Sequence, residues 1–228
     1  MRRVTFVFLA MALLCGRAAR AADYSENPER SLLFGFDLGA GLDPASSARS
    51  PKAMGGGTPE AYDIAGFLFG IFAGYRFNEI AGLEAGWHQD RHAADKDWGG
   101  VAGYQIFHVA ARLAVPTPLR LTPVLLVGPA AGTFFYGASD YGGTEDNSAW
   151  AVGGMAALAT EFELGLGVVA ALRVAYLPLY RWGMHLELVE EWYDGGWQSD
   201  TLDTKTFGDE LVHVLWITAA IQFEWTFE

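Results

Sequence analysis

The chain has 228 residues, of which 51% are hydrophobic and 14% aromatic, and its formal net charge is −12. So acidic a protein is a poor candidate for nucleic-acid binding, because phosphate backbones attract basic surfaces. After the N-terminal segment no window offers the ~20 apolar residues that a membrane helix needs. The sequence is nevertheless rich in hydrophobic residues and contains 28 glycines. Backbone polar groups in lipid are satisfied only by helices or closed barrels, so the composition favours a barrel.

Residues 1–21 are predicted to be a secretory signal peptide. Arg2 and Arg3 give a basic start, residues 4–14 form an unbroken apolar run, and residues 19–21 offer a small-x-small cleavage site. The position of cleavage stays open. Removal of this segment takes away Cys15, the only cysteine, and leaves a formal charge of about −16. The mature chain can then form no internal disulfide.

The last predicted strand, residues 212–227, has a clear strand period. One face is apolar throughout and ends in aromatic residues, whereas the other becomes polar toward the terminus. This pattern fits a wall between lipid and a filled interior. The apolar face consists of Leu215, Ile217, Ala219, Ile221, Phe223, Trp225 and Phe227. The other face consists of Val214, Trp216, Thr218, Ala220, Gln222, Glu224 and Thr226.

Similar alternation predicts seven earlier strands, at 32–42, 64–77, 81–87, 104–115, 121–136, 150–162 and from Val168 onward. The connections alternate between long and short. Short turns are predicted at 78–79, 116–118 and 165–167, and long connections at 43–62, 88–103, 137–148 and 178–210. This asymmetry is typical of outer-membrane barrels, whose external loops are long and periplasmic turns short.

Two features of this scheme stay open. The facing of the fifth strand is ambiguous, because Pro123, Gly128 and Pro129 interrupt its alternation. Residues 178–210 form either a projecting hairpin or a partly helical loop. The predicted organisation is a signal peptide over 1–21, an N-terminal lead-in over 22–31 and a barrel over 32–228.

Two segments carry a family resemblance. They are Gly74-Tyr75-Arg76-Phe77-Asn78-Glu79 leading into Gly82-Leu83-Glu84-Ala85-Gly86-Trp87, and the terminal alternation Ile221, Phe223, Trp225, Phe227. They resemble the second hairpin and the last strand of small OmpA-like and OmpX-like outer-membrane barrels. The resemblance implies an all-β fold, a transmembrane antiparallel up-and-down β-barrel of about eight strands in a Gram-negative-type outer membrane. It marks the fold more than the function.

Charged side chains on the inward faces form the first candidate site. The sixth strand places Glu161 and Glu163 inward, and the predicted lumen charge network is Asp37, Arg76, Glu84, His108, Arg112, Glu163, Arg173 and Glu224. Opposite charges in a narrow interior are expected to pair and plug it, because an unpaired buried charge is very costly. The alternative is a gated polar path in which an Arg–Glu pair exchanges partners. A packed eight-stranded lumen leaves little room for such a path.

The predicted external loops carry the second candidate site. Their aromatic residues Trp98, Trp182, Trp192 and Trp197 could contact lipid headgroups or an unknown extracellular partner. Their many carboxylates, Asp90 and Asp140 among them, are expected to form a solvated acidic surface, since no calcium-loop motif is present. No metal and no cofactor are predicted. Phe223, Trp225 and Phe227 are the predicted signal for the barrel-assembly machinery, and outer-membrane lipid and lipopolysaccharide are the other expected partners.

The functional prediction is a structural or surface-interaction role in the outer membrane. The alternatives are a narrow channel or hydrophobic-ligand conduit and, third, a lipid A-modifying enzyme. An enzyme is not predicted: His88, His92, His185 and His213 lie near expected rims, but Ser139, Ser148 and Ser199 show no suitable spacing. A soluble periplasmic barrel would require polar residues at outward positions, and those positions are apolar.

Overall fold

Eight strands form a closed antiparallel barrel in the computed structural model, which describes residues 30–43, 65–93, 101–117, 120–137, 147–182, 184–190, 200–207 and 210–227. The barrel strands are β1 (Arg30–Leu42), β2 (Ala65–Arg76), β3 (Ala81–Ala93), β4 (Val101–Ala114), β5 (Leu121–Gly137), β6 (Asn147–Gly165), β7 (Val168–Trp182) and β10 (Glu210–Phe227). Each pairs with its neighbour in sequence, and β10 closes the barrel between β7 and β1. The predicted fold class is therefore confirmed. Within the described ranges no helix is long and apolar enough to cross a membrane.

The remaining two strands form a separate hairpin. β8 (Met184–Glu190) pairs with β9 (Asp200–Phe207) in a two-stranded antiparallel sheet between β7 and β10. Of the two interpretations left open for this region, the hairpin is the one that the structure contains. The predicted signal peptide and lead-in lie outside the described residues, apart from Arg30 and Ser31, which begin β1.

Side chains along most of each barrel strand alternate between the outer wall and the interior. On β1, Leu32, Phe34 and Phe36 are exposed on the outside, while Leu33 and Asp37 are buried inside. The same alternation on β10 matches the two faces that its sequence predicts. Many large apolar side chains are thus exposed on the outer wall, as is expected where lipid replaces water as the neighbour.

The two ends of the barrel differ in their connections. One end, here called the turn end, carries the start of β1, the end of β10, the short turns at 77–80 and 165–167, and the short connection between β4 and β5. In the first turn, the Asn78 side chain accepts hydrogen bonds from the backbone N–H groups of Ile80 and Ala81. In the third, Leu166 has a φ of 56° between two glycines of positive φ. The opposite end, where the long connections leave, is here called the loop end.

The strands are staggered around the barrel. A path that steps from each residue to its partner on the next strand, once around the barrel, does not return to the residue where it began. The path runs through Arg91, Phe67, Ala40, Ile217, Val174, Leu158, Leu125, Leu113 and Ala81. It therefore ends ten residues from its start on the same strand, β3. Such a stagger accompanies strands tilted by about 35–45°, and an eight-stranded barrel is just wide enough for side chains to fill its interior.

The structure corrects the predicted boundary between the third strand and its following loop. Residues from His88 to Ala93 continue β3, and β4 begins at Val101. His88, Asp90 and His92 are buried inside the barrel, and Asp90 is therefore not part of an acidic external surface. The strand continues because each of these residues still has a partner or neighbour on the adjacent strands β2 and β4.

The facing of β5, which the sequence left open, is now defined. Val124, Leu126, Ala130 and Phe134 are buried inside, and Pro123 and Pro129 face outward. The ladder to β4 lapses beside Pro129, because partners pass directly from His108–Ala130 to Ala111–Val127. A proline lacks the N–H that such a ladder needs, so an interruption at this position is expected.

Candidate functional site

Charged side chains occupy the interior from the turn end to the loop end. Nearest the turn end, Glu161 on β6 accepts hydrogen bonds from Arg76, at 2.9 Å, and from Arg112. Arg76 also donates to Glu224 on β10 at 2.8 Å, and the Ser31 hydroxyl donates to the same Glu224 oxygen at 2.5 Å. This turn-end group joins strands β1, β2, β4, β6 and β10 by contacts between side chains distant in sequence.

Arg173 on β7 is the centre of the next group. Its two terminal nitrogens donate to the two carboxylate oxygens of Glu84 at 2.8 and 3.1 Å. The carboxylate of Asp37 lies 3.6 Å away, and the amide oxygen of Gln222 accepts a weaker bond at 3.4 Å. The guanidinium also stacks 3.9 Å from the centre of the Phe72 ring. A forked arginine–carboxylate pair of this kind is strong and geometrically specific.

Two histidines lie above this central group, toward the loop end. His88 Nε2 lies 3.2 Å from Asp37 Oδ1, and His108 Nε2 lies 3.7 Å from Glu84 Oε1. The two imidazole rings are 5.2 Å apart, and the indole of Trp216 covers His88 at 4.9 Å. His88 is therefore held between Asp37 and the indole of Trp216, and His108 lies between His88 and Glu84.

The fourth group lies nearest the loop end, around Asp90. The backbone N–H of Tyr104 donates to one carboxylate oxygen at 2.5 Å, and the Trp216 indole N–H donates to the other at 3.0 Å. His92 Nε2 is 3.7 Å from the same carboxylate. On β7, the Arg181 guanidinium lies 4.5 Å from the centre of the Phe134 ring.

A small cavity lies in the middle of this column. Its volume is about 20 Å³, and it is lined by Asp37, Glu84, His88, His108, Arg173, Trp216 and five further residues. A volume of this size holds about one water molecule. In the described part of the chain no three His, Cys, Asp or Glu side chains are placed to hold a metal ion. The geometry is that of a packed charged core.

Seven of the eight predicted network residues lie in this column, and Glu163 is the exception. Glu163 is exposed, whereas Glu161, two residues earlier, is the buried carboxylate between Arg76 and Arg112. The pairing of β6 with β7 shifts between Glu163 and Gly165, where the barrel wall ends. Glu163 has the inward parity but lies beyond the packed interior, so water can reach it.

Sequence reasoning missed four members of the column that lie toward the loop end: His88, Asp90, His92 and Arg181. A signal for the first three was present in the sequence. Gly82, Glu84, Gly86, His88, Asp90 and His92 repeat at every second position, which is the period of one strand face. The signal was obscured because the outward positions Gln89 and Arg91 are polar too.

The predicted aromatic residues have mixed outcomes. Trp182 is the last residue of β7, on the outer wall beside Trp150 and Tyr180, so it does not belong to a loop. Trp98, Trp192 and Trp197 lie outside the described residues. Phe223, Trp225 and Phe227 are all exposed on the outer wall of β10 near the turn end. Their role in barrel assembly stays a prediction.

A glycine on β2 makes room for the His88–Asp37 contact. A Cβ atom added to Gly70 would lie 2.1 Å from His88 Cδ2 and 2.9 Å from Asp37 Oδ1. We expect Gly70→Ala to lower the free energy of unfolding by about 1–3 kcal/mol, as overpacking does in other cores. The measurement is the urea midpoint for conversion of the folded, fast-migrating form on unboiled gels.

The control for this substitution is Gly154→Ala on the outer wall. A Cβ there would meet only the Gly128 carbonyl oxygen at 3.6 Å, which is an ordinary contact. An unchanged or raised midpoint is therefore expected, because alanine restricts the unfolded chain more than glycine does. Equal losses for both variants would contradict the packing of Gly70 against His88.

Comparison with protein families gives one match. The family model described as "Outer membrane protein beta-barrel domain" matches residues 6–176, which is well over half of the chain. No curated protein matches the sequence significantly.

Several solved structures are similar to this chain at low sequence identity. Neisserial surface protein A is 13% identical, with a TM-score of 0.49 over 85% of this chain and 96% of that one. Ail of Yersinia pestis, in complex with the heparin analogue sucrose octasulfate, is 14% identical, with a TM-score of 0.47 over 87% and 99%. OprG of Pseudomonas aeruginosa is 12% identical, with a TM-score of 0.41 over 87% and 96%.

Proposed function

The chain belongs to the outer membrane protein beta-barrel domain family, and from that premise we propose that it is a closed, non-conducting barrel with a structural and surface-interaction role. The barrel lies in the outer membrane, with its apolar wall against lipid. Its charged interior acts as a core that keeps the wall rigid. Its function resides in what the loop end presents to the outside.

The observation that carries the proposal is the state of the lumen. The fork between Arg173 and Glu84 spans the interior from β7 to β3, and the remaining cavity holds about one water molecule. A hydrated ion needs a continuous column of water. To open one, the buried pair would have to separate, and leaving such charges unpaired costs several kcal/mol.

The asymmetry of the two ends supports a surface role. The connections at the turn end are only a few residues long, whereas those at the loop end comprise residues 43–64, 94–100, 138–146 and 183–209. In barrels of this architecture the longer loops face the outside of the cell. Binding residues are concentrated on loops that a rigid scaffold positions. Acidic residues such as Asp140, Glu145 and Asp146 lie in these connections by sequence.

Conductance across a planar lipid bilayer tests the closed lumen. The purified full-length mature protein is expected to insert without discrete conductance steps, because the Arg173–Glu84 pair and the side chains packed around it block the described part of the interior. A general porin in the same bilayer is the positive control, and the fast-migrating form on unboiled gels shows that the barrel is folded. Reproducible unitary steps from the folded protein would overturn the proposal.

A narrow polar channel is the second candidate, and one contact favours it. Arg173 lies near two carboxylates, at 2.8 Å from Glu84 and 3.6 Å from Asp37, so its guanidinium has an alternative partner. If such an exchange opened a path, conductance would appear as brief, rare openings. Glu84→Gln would then raise the open fraction, because it removes the stronger of the two partners.

An enzymatic role is not part of the proposal. The outer wall carries one polar pair, in which the Tyr176 hydroxyl and His213 Nδ1 are 2.6 Å apart, but no carboxylate is seen to orient this histidine within the described residues. A nucleophile and base without an orienting group make an incomplete catalytic arrangement. Mass analysis of lipid A from cells with and without the protein is expected to give the same species.

A further inference from the structure

The described interior contains more carboxylates than guanidinium groups. Its buried or half-buried acids are Asp37, Asp43, Glu84, Asp90, Glu161 and Glu224. Its arginines are Arg76, Arg112, Arg173 and Arg181. With neutral histidines these groups sum to two negative charges. An uncompensated charge in a packed interior is costly, so the excess calls for another source of positive charge.

The excess is not spread evenly. In the turn-end group, Arg76 and Arg112 balance Glu161 and Glu224. In the central group a single cation, Arg173, faces two carboxylates, Asp37 and Glu84. The central group therefore carries one negative charge too many. The histidine pair His88 and His108 lies directly on this group.

The two histidines have buried ring nitrogens without hydrogen-bond partners. Nδ1 of His88 and both ring nitrogens of His108 are buried and have no hydrogen-bond partner in the structure. Both rings line the cavity that has room for about one water molecule. Each ring also has a carboxylate beside it, Asp37 for His88 and Glu84 for His108.

We propose that the central cavity is a proton-binding site. His88 and His108 together hold one proton more than two neutral imidazoles carry, and a water molecule lies between the two rings. The positive charge of this added proton neutralises the excess negative charge of Asp37 and Glu84. Imidazole is the side chain that exchanges a proton most readily near neutral pH. The added proton makes one ring an imidazolium with two N–H donors, while the other ring keeps one N–H. The water satisfies ring nitrogens that otherwise have no partner.

The pair of histidines holds one added proton and not two. The ring centres are only 5.2 Å apart, so two imidazolium cations would repel each other in the interior. The central group also has only one negative charge to compensate.

The charged or titratable groups around the pair come from five strands. They are Asp37 on β1, Glu84, Asp90 and His92 on β3, Arg112 on β4 with its partner Glu161 on β6, and Arg173 on β7. The cavity-lining side chains of β5, β6 and β10 carry no charge; they are Leu126, Met155, Ala157, Trp216 and Thr218. Asp90 is itself satisfied by Trp216 and Tyr104 and has His92 beside it.

The proposal rests on the closed lumen and adds a dependence on pH to it. The folded barrel holds a proton that the unfolded chain gives up to water at the same pH. Because the native state binds more protons, the free energy of unfolding falls as pH rises. The free energy of unfolding is therefore higher in mild acid than at alkaline pH. This gain ends at lower pH, where the second imidazole or the carboxylates also take up protons.

Nitrogen-15 NMR of histidine-labelled full-length mature protein in detergent micelles tests the site directly. The imidazole nitrogen shifts report which rings are charged across about pH 5 to 9, the range in which histidine switches. His88→Gln and His108→Gln assign the two signals, and His213→Gln, on the outer wall, is the matched control. We expect one charge shared by the pair near neutral pH. Two neutral rings, or two charged rings, would overturn the proposal.

The second measurement uses the charge balance itself. In wild type the midpoint temperature of barrel unfolding should fall from about pH 6 to pH 9, as a histidine proton is lost. In Asp37→Asn the central group is already neutral, so its contribution of one proton to this slope should disappear, while the slope of His213→Gln stays at the wild-type value. A wild-type slope in Asp37→Asn would contradict the proposal, as would a midpoint that responds to a chelator and not to pH. The number of charged rings among the five histidines is counted in the wild-type spectrum, and only the assignment of signals to His88 and His108 uses variants.

The two proposals fail in different ways. A barrel that conducts at every pH would overturn the closed lumen, whatever the histidine signals show. A barrel that stays closed while both rings remain neutral would overturn only the proton site.

Discussion

Replacing Arg173 with methionine is expected to lower the free energy of unfolding by about 3–5 kcal/mol, because it removes one partner from a buried ion pair. Glu84 loses both of its forked hydrogen bonds, and Asp37 loses the nearest cation. Methionine keeps much of the volume beside Phe72, so the loss reports charge more than packing. The urea midpoint of the fast-migrating form measures it.

The matched control is Arg91→Met, on the outward face of β3. Arg91 is exposed, and substitutions at such positions usually change stability by less than about 0.5 kcal/mol. Adding Glu84→Gln to Arg173→Met should restore part of the loss, because one of the two stranded carboxylates is then removed. Equal effects of the two arginine variants would show that Arg173 does not hold the core together.

The second large effect is expected at Glu161. Glu161→Gln leaves Arg112, which is 1% exposed, without its carboxylate partner, while Arg76 keeps Glu224. Nε and Nη1 of Arg112 already have no hydrogen-bond partner in the structure, so the group has no alternative contact to fall back on. A loss of about 3 kcal/mol or more is expected in the same unfolding assay.

Glu163→Gln provides an internal control for that loss. It makes the same chemical change two residues further along β6, at an exposed side chain beyond the packed interior. Its effect should stay within about 0.5 kcal/mol. If Glu163→Gln were the more damaging of the two, the assignment of Glu161 to the core would be wrong.

The fold could be predicted from the sequence because the outer wall of most strands is apolar at every second residue. On β1 and β10 the alternation is unbroken, and the structure places both faces as expected. The prediction stopped too early on β3. There Gln89 and Arg91 occupy outward positions, so the contrast between the two faces disappears although the strand continues to Ala93. Where both faces of a strand are polar, the sequence pattern does not distinguish a strand that extends beyond the lipid from a loop.

The network could be predicted as a set of inward residues but not as a set of contacts. Parity puts both Glu161 and Glu163 on the inner face, and only the bulge near Gly165 decides which of them is packed. The fork between Arg173 and Glu84 joins residues 89 positions apart. Such a pairing depends on the stagger of the whole barrel, which no local pattern records. The prolines of β5 are a similar case, since their outward direction follows from the register of both neighbouring strands.

The stagger of ten residues per circuit has a consequence for how the barrel is made. Glu224 on β10 meets Ser31 on β1 and Arg76 on β2 only when the first and last strands join in one alignment. A slip of a single residue would turn every side chain of the slipped strand to the other face and push glutamate or arginine into hydrocarbon. The ionic core therefore stabilises only the correct register between β1 and β10 and disfavours the neighbouring registers.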